Sequence, residues 1–266
     1  DLFGDEPTPA LRERLADVDV GVVWSHAGDA ANDLAERLKR AGVRSVLPVA
    51  SFPATGSCRH IADHLLGSLA PLGVRPKPTR FRIRGARSVG SETPDQRTLI
   101  EKAADRLVVL HPGAGGRRKR WPADRFAALA DRLIQAGYSV VLMAGPSDDE
   151  VADVVRSLVR HGEVRILADR TLTELDGIFS RTRLFVGNDS GITHLAALAG
   201  APTVALFGPF DPAYWAPIGP IVSVVDAGLS CSHRADPREG CHVCDLMPSL
   251  SIERVWEAAN ELLLSC

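Results

Sequence analysis

Short apolar runs alternate regularly with amphipathic segments of helical period along this chain, and few folds accommodate that pattern. Leu107–Leu110 is a continuous apolar run, which is typical of a parallel strand covered by helices on both faces. Pro122–Ala136 follows it with helical spacing, a proline in the first turn and Gly137 just past the end. The β-α-β-α order predicts an α/β fold built on a doubly wound parallel sheet.

The same pattern extends along most of the chain. Further strands are predicted at Val18–Trp24, Val43–Val49, Tyr138–Ala144, Val164–Leu167, Leu184–Val186, Thr203–Phe207 and Ile221–Val225. Further helices are predicted at His60–Leu69, Ala30–Ala41, Ser147–Arg160, Leu172–Arg181, Gly191–Ala199 and Ser251–Leu264. In such sheets ligands bind beside the carboxyl ends of the strands, so the strand-to-helix junctions are the places to search for a site.

A change of composition divides the chain. Between Gly73 and Thr98 the sequence is basic, carries Pro, Gly and Ser, and is poor in large apolar residues, which is typical of a linker or an irregular edge. We assign residues 1–98 to an N-terminal Rossmann-like unit with its linker, 99–250 to a second Rossmann-like domain and 251–266 to a closing helix. The first unit is too short for a complete Rossmann domain, so a truncated chain and a divergent one are both open.

Composition and charge exclude several classes of protein. Hydrophobic residues make up 45% and charged residues 24% of the 266 residues, which excludes wholesale disorder. The formal net charge of −2 gives no global attraction to nucleic acid or to an acidic membrane. No apolar run reaches the roughly 18 residues of a spanning helix, and the first residues do not resemble a signal peptide, which predicts a cytoplasmic protein.

The first informative junction follows the strand that ends at Leu110. Gly113, Gly115 and Gly116 let backbone amides approach a ligand closely, and the next helix offers the positive end of its dipole. Arg117–Arg120 adds four cations on the same loop. The combination indicates a phosphate site, although the spacing fits neither a Walker loop nor a dinucleotide fingerprint, and a solvated basic turn is the alternative.

Two further junctions carry polar residues at helix starts. At Ala144–Glu150 a Gly-Pro turn leads into a serine, which could cap the helix, and into three acids. These residues suit a capped helix, and a carboxylate that binds a ribose hydroxyl would use the same ones. At Val186–His194 an Asp-Ser-Gly turn opens a helix, where the Ser190 and Gly191 amides can hold an anion and His194 can donate a hydrogen bond to it.

A fourth junction, rich in proline and aromatic residues, follows the strand that ends at Phe207. It begins with Gly208 and Pro209 and carries one acid, Asp211, before Pro217. Such a loop suits a packed turn, or a wall of a binding cleft whose aromatic faces are available to a base or a sugar. We assign Phe207, Gly208, Pro209 and Asp211 to the cleft wall.

The ordered set of motifs resembles a known family. The motifs HPGA, KRWP, AGPSDDE, GNDSGITHLAALAG and PTVALFGPFDP occur in that order between Leu107 and Pro217. They are similar to the C-terminal half of the ADP-heptose:lipopolysaccharide heptosyltransferases, glycosyltransferase family nine. The resemblance implies a GT-B architecture, in which two Rossmann-like domains face a cleft and the C-terminal one holds most of the nucleotide-sugar.

The resemblance also implies the reaction and its partners. These are the inverting, metal-independent transfer of a heptose from ADP-heptose to a lipopolysaccharide core or a similar glycan acceptor, with no cofactor besides the donor. The acceptor is a glycan or a lipid-linked glycan, through which the protein would associate peripherally with the inner face of the membrane. No nucleic acid is expected as a partner.

Site residues are carried over from the family's pattern one at a time. Lys119 matches the basic residue before Trp-Pro that contacts the donor phosphate. Asp189, Ser190, Gly191 and His194 match the donor motif Asp-[Ser/Thr]-Gly-x-x-His. The other donor-binding residues implied are Pro112, Gly113, Ala114, Gly145, Asp148 and Glu150. Together these residues would stabilise the departing diphosphate by dipoles and side-chain charge.

The catalytic base is not identified from the sequence. Family members carry a Gly-Asp loop after their first strand, and its Asp is the expected base. Here Asp5 follows no strand and leads into Pro7 and Pro9, so we do not accept it in that role. The alternative to a transferase is therefore a nucleotide or nucleotide-sugar binding module without turnover.

The cysteines could form disulfides or bind a metal ion. Five of them, an odd number in a chain of this length, do not make a disulfide scaffold. Cys231, Cys241 and Cys244, with His233 and His242 nearby, could supply a tetrahedral zinc site. Only one close C-x-x-C pair exists, however, and family members often carry cysteines in this loop. We therefore favour a structural or incidental role and assign no metal from the sequence.

Overall fold

The computed structural model describes residues 6–26, 28–54, 57, 59–75, 103, 106–145, 148–229, 231–234 and 240–265. The chain divides into two compact units, residues 1–77 and 78–266. Each unit contains a parallel sheet, which confirms the predicted α/β class. Asp5 and most of the segment between Gly73 and Thr98 lie outside the described residues.

The smaller unit is built on two parallel strands. Its elements are α1 (Pro9–Leu15), β1 (Val20–Ser25), α2 (Gly28–Arg40), β2 (Ser45–Ala50), α3 (Ile61–Gly67) and a 3-10 turn at Ala70–Leu72. Apolar residues of β1, α2, β2 and the segment that leads into β2 form a small core: Val23, Ala31, Ala35, Val43 and Val46. Helix α1 is not predicted from periodicity. Thr8 caps it by accepting a hydrogen bond from the Leu11 amide, with a proline next to the cap.

The larger unit follows the predicted alternation of strands and helices. Its elements are β3 (Leu107–His111), α4 (Ala123–Gln135), β4 (Ser139–Met143), α5 (Asp149–Leu158), β5 (Arg165–Leu167), α6 (Leu172–Phe179), β6 (Leu184–Asn188), α7 (Gly191–Ala199), β7 (Thr203–Phe207), α8 (Pro212–Trp215), β8 (Val222–Asp226) and α9 (Ile252–Ser265). Arg117–Lys119 and Met247–Ser249 form 3-10 turns. Among the described residues, no helix combines the length and the apolar character needed to span a membrane.

Helices cover both faces of the larger sheet. Neighbouring residues of a strand point to opposite faces, so β3 contributes to two cores. Val108 and Leu110 pack with residues of α4, α5 and α9, and Leu107 and Val109 pack with residues of α6 and α7. All five residues of β3, of β6 and of β7 are buried. This double burial explains why these strands are continuous apolar runs in the sequence.

The strand order places a crevice at the centre of the larger sheet. The strands run parallel in the order β5-β4-β3-β6-β7-β8, so the chain leaves β3 in one direction and β6 in the other. His111 at the end of β3 lies opposite Gly187 near the end of β6. The loops that follow these two strands therefore begin side by side, at the position where parallel sheets of this order bind ligands.

Candidate functional site

One buried amide joins the two central loops. Asn188, the last residue of β6, donates hydrogen bonds from Nδ2 to the carbonyl oxygens of Pro112 (2.9 Å) and Gly113 (3.3 Å). Its Oδ1 accepts a hydrogen bond of 3.0 Å from the amide of Trp121. Asn188 is fully buried, so its three bonds fix the start and the end of the loop after β3. The sequence does not single out Asn188, although a polar residue that ends a buried strand is a recognisable signal.

A carboxylate lies at the inner edge of this loop. Asp148 is at the start of α5, and its oxygens lie 3.4 Å from Nε2 of the buried His111 and 3.4 Å from Nη2 of Arg120. The same guanidinium donates hydrogen bonds to the carbonyl of Ala114. The interaction with His111, and then the charge of Arg120, lower the pKa of Asp148 below its ordinary value. Asp148 is a predicted site residue and Arg120 is one of the four cations of the predicted phosphate site, whereas His111 is not predicted.

The close approach of Asp148 explains the first glycine of the loop. A Cβ on Gly113 would stand 2.1 Å from Cγ of Asp148, closer than any side chain tolerates. A Cβ on Gly145 would stand 3.5 Å from Oδ2 of the same residue, an ordinary contact. Three predicted site residues, Gly113, Gly145 and Asp148, therefore meet. Glu150 lies exposed in the first turn of α5.

A lysine is held at the mouth of the crevice by a second acid. Nζ of Lys119, on the 3-10 turn, lies 2.8 Å from Oδ2 of Asp189, which directly follows β6. The same nitrogen lies 4.2 Å from the centroid of the Phe210 ring, a cation-π contact. The side chain of Asp189 is 10% exposed and that of Lys119 is 27% exposed. The structure thus brings together Lys119 and Asp189, two of the charged residues that the sequence assigns to the donor, and it adds Phe210.

The first turn of α7 completes the arrangement. Ser190 is its N-cap, and Oγ of Ser190 accepts a hydrogen bond of 3.4 Å from the amide of Thr193 and lies 3.4 Å from Nδ1 of His111. Gly191 is exposed, and no other described part of the chain lies within 4 Å of where its Cβ would stand. His194 is partly buried on the following turn. A helix N-terminus with room beside it can bind an anion through its amides and its dipole.

The loop after β7 is largely a packed turn. Phe207, Gly208 and Pro209 are buried, and a Cβ on Gly208 would stand 2.6 Å from Sδ of Met247. Asp211 caps α8 by accepting a hydrogen bond of 2.9 Å from the Ala213 amide. Of this loop, Phe210 is the residue that contacts a predicted donor-binding residue, Lys119.

This geometry provides three groups that suit a bound phosphate. They are the glycine-rich loop that Asn188 holds, the partly exposed cation Lys119, and the open N-terminus of α7. All three lie at the carboxyl ends of adjacent strands of one sheet. The arrangement is suited to an anion such as a diphosphate, with Asp148 as a polar acceptor beside it.

Comparisons with known proteins point to one family. The model of glycosyltransferase family 9 (heptosyltransferase) matches residues 83–242. Lipooligosaccharide heptosyltransferase 2 of Haemophilus ducreyi is 32% identical in an alignment over 169 residues, and the match covers 59% of this chain and 47% of that protein. The chain thus spans about half the length of the curated relatives that it matches.

Solved structures show the same fold. A family 9 glycosyltransferase from Veillonella parvula superposes with a TM-score of 0.70 at 24% identity, over 97% of this chain and 77% of that one. The ADP-heptose lps heptosyltransferase II of E. coli superposes with a TM-score of 0.65 at 23% identity, over 96% of this chain and 79% of that one.

Proposed function

We propose that this chain, which belongs to glycosyltransferase family 9, holds the nucleotide-sugar donor of a heptosyltransferase in its larger unit. The reaction is the transfer of a heptose from ADP-heptose to a lipopolysaccharide core or a similar glycan. The observation that carries the proposal is the meeting of the β3 loop, Lys119 and the first turn of α7 at the crevice. Support for the donor comes from relatives named as heptosyltransferases and from the E. coli neighbour named for ADP-heptose.

The donor diphosphate lies against the first turn of α7 in this proposal. The amides of Ser190 and Gly191 donate hydrogen bonds to phosphate oxygens, and His194 donates one from the next turn. Oδ2 of Asp189, 2.8 Å from Nζ of Lys119, orients the ammonium group, which also forms an ion pair with the phosphate. Asp148, which His111 and Arg120 keep ionised, accepts a hydrogen bond from a ribose hydroxyl.

In this proposal the larger unit contributes to catalysis by stabilising the leaving group, ADP. When the bond between the sugar and the β-phosphate breaks, negative charge grows on the departing ADP. Fixed amide dipoles and the Lys119 cation stabilise that charge without a metal ion at the diphosphate. The acceptor hydroxyl attacks from the opposite face of the sugar, which inverts its configuration. The base that deprotonates the hydroxyl is not assigned.

The last part of the proposal concerns the acceptor. It is a glycan or a lipid-linked glycan that lies against the heptose, and a lipid anchor on it would bring the protein peripherally to a membrane surface. This part rests on the family alone, because no described residue is assigned to the acceptor.

The donor site is tested by calorimetry with ADP on the full chain and on the variants Lys119→Ala and His194→Ala. Removing a charge-assisted hydrogen bond costs about 1.5–3 kcal/mol, so we expect ADP affinity to fall about tenfold to a hundredfold for Lys119→Ala. The melting temperature should stay nearly unchanged in both variants. Arg117→Ala, which removes an exposed cation of the same 3-10 turn, is the matched control and should change affinity far less.

Two outcomes would contradict the proposal. Equal ADP affinity in the wild type, Lys119→Ala and His194→Ala would show that the diphosphate binds elsewhere. Binding of ADP-heptose without release of ADP, when lipopolysaccharide that lacks its heptoses is supplied as acceptor, would show that this chain binds the donor and does not transfer it.

A further inference from the structure

The loop between β8 and α9 gathers sulfur and nitrogen atoms outside the donor crevice. Sγ of Cys231 lies 3.8 Å from Sγ of Cys244, and Nδ1 of His233 lies 3.6 Å from the latter sulfur. The ligand atoms of all three residues lie within 4.8 Å of one another. Cys231, Cys241 and Cys244 are free thiols in the structure. The proposed donor site uses none of these residues.

These separations match the edges of a tetrahedral metal site. A zinc ion binds cysteine sulfur at about 2.3 Å and histidine nitrogen at about 2.0–2.1 Å. At a tetrahedral angle, two such sulfurs lie about 3.8 Å apart, and a sulfur and a nitrogen lie about 3.6 Å apart. The observed distances are 3.8 and 3.6 Å. Two sulfurs joined in a disulfide would lie only about 2.05 Å apart.

Cys241 lies beside this three-residue cluster and is the candidate for a fourth ligand. Its side chain is buried and interacts with those of Cys231 and Cys244. Its sulfur accepts a hydrogen bond of 3.2 Å from the amide of Cys244, three residues further on. A bond from an amide to the first sulfur of a C-x-x-C pair stabilises the negative charge that the sulfur carries as a thiolate.

We propose that Cys231, His233, Cys241 and Cys244 bind one zinc ion. Four protein ligands leave no open coordination position, which is typical of a structural zinc and not of a catalytic one. The soft thiolate ligands favour zinc over magnesium or calcium. The sequence alone favours a role without metal because it shows a single close pair. The structure brings Cys231 and His233 to Cys244, the second cysteine of that pair, across the loop.

The zinc would hold together segments that reach the donor crevice. Nη2 of Arg118, next to Lys119, donates a hydrogen bond of 2.7 Å to the carbonyl of Cys244. The amide of Cys241 donates one of 2.8 Å to the carbonyl of Pro209, which precedes Phe210. The residues that precede Lys119 and Phe210 in the sequence are thus each hydrogen-bonded to a cysteine of this loop. Zinc binding would stabilise the loop and keep the basic turn in place.

The test is the metal content of the full chain, purified without chelators and measured by plasma mass spectrometry. We expect about one zinc per chain in the wild type. The double variant Cys231→Ser with Cys244→Ser should lose at least about nine-tenths of it, since two of four ligands are removed. His233→Ala should also lose most of its zinc. His242→Ala is the matched control, because His242 is an exposed histidine next to Cys241 and lies outside the cluster.

Further measurements separate loss of metal from loss of fold. His233→Cys, which restores a zinc ligand, should regain the zinc that His233→Ala loses, and a cobalt-substituted wild type should show the visible absorption of tetrahedral coordination. Three results would overturn the proposal: less than about a tenth of an equivalent of zinc in the wild type, one equivalent of iron in place of zinc, or an equal loss of zinc in His233→Ala and His242→Ala. Zinc content is measured without donor or acceptor, so its result is independent of the proposed transferase activity.

Discussion

Asn188 shows how one buried side chain can set the geometry of two loops. Its amide group satisfies two carbonyl oxygens and one backbone amide in a fully buried position. A buried polar group without a partner costs about 1–3 kcal/mol, so each of these bonds resists a change in loop shape. The glycine-rich loop after β3 is therefore preorganised for its ligand. The residue that holds this loop in place belongs to β6, a strand that is distant from the loop in sequence.

Gly113 is the residue for which this close packing makes the sharpest prediction. In Gly113→Ala the new methyl group would collide with the Asp148 carboxylate, which the contacts with His111 and Arg120 hold in place. Overpacking of this kind costs about 1–3 kcal/mol, so we expect a lower melting temperature together with weaker ADP binding. Calorimetry and thermal unfolding of the same preparation measure both.

Gly115→Ala is the control for this substitution. Gly115 lies two residues further along the same loop, and apart from its chain neighbours no described atom lies within 4 Å of the position that a Cβ would take. We expect its stability to stay within about 0.5 kcal/mol of the wild type, as for other exposed substitutions. If Gly113→Ala proved as stable as Gly115→Ala, the contact with Asp148 would not constrain the loop.

At the scale of the element, α7 illustrates how a helix start can serve both stability and binding. Its nine residues begin directly after Ser190, whose hydroxyl caps the helix and also lies beside His111 and Thr193. Helix α6 begins with a more complete cap: Thr171 and Glu174 bond each other's backbone amides in a capping box. Substituting the cap of each helix therefore distinguishes the effect of a cap on stability from its effect on ligand binding.

We expect Ser190→Ala and Thr171→Ala to destabilise the protein by a similar amount, about 1 kcal/mol each, because each removes an N-cap. Ser190→Ala should also weaken ADP binding, since the cap orients the amides that hold the phosphate. Thr171→Ala lies after the edge strand β5, whereas the crevice lies between β3 and β6, so it should leave ADP affinity unchanged. Urea unfolding and calorimetry measure the two effects. A parallel fall of affinity in both variants would mean that binding follows global stability and not the position of the cap.

At the scale of the whole molecule, the two units differ in the depth of their cores. Strands β3, β6 and β7 are buried along their whole length. In the smaller unit Val20 and Trp24 of β1 are 47% and 43% exposed, and helices α1 and α3 bury no residue. Fewer buried apolar contacts lower the free energy needed to open a segment.

This difference predicts the pattern of hydrogen exchange. We expect the amides of β3, β6 and β7 to exchange slowest and those of β1 and β2 to exchange at least roughly tenfold faster. Exchange followed by mass spectrometry on peptides of the intact chain measures the difference. Equal protection of β1 and β6 would contradict it and would show that burial within each unit does not control opening.

Most helices and strands, and their order along the chain, can be predicted from local sequence patterns. Every predicted strand and helix lies within two residues of its predicted ends, and α7 and β7 coincide with their predictions. The physical reason is that burial on both faces demands continuous apolar strands, and that caps such as Thr171 and Ser251 act within a few residues. Short helices α1 and α8, each with a proline at its start, are too brief to show a period.

The contacts between polar groups, in contrast, depend on the folded arrangement of distant segments. Asn188 and Trp121 are 67 residues apart, Arg118 and Cys244 are 126 apart, and no local pattern encodes either contact. Lys119 and Asp189 are both visible in the sequence as candidate site residues, yet their pairing depends on β3 and β6 being neighbours in the sheet. Strand order is fixed by the packing of helices on both faces, a property of the folded chain, and the partners of buried and charged side chains follow from it.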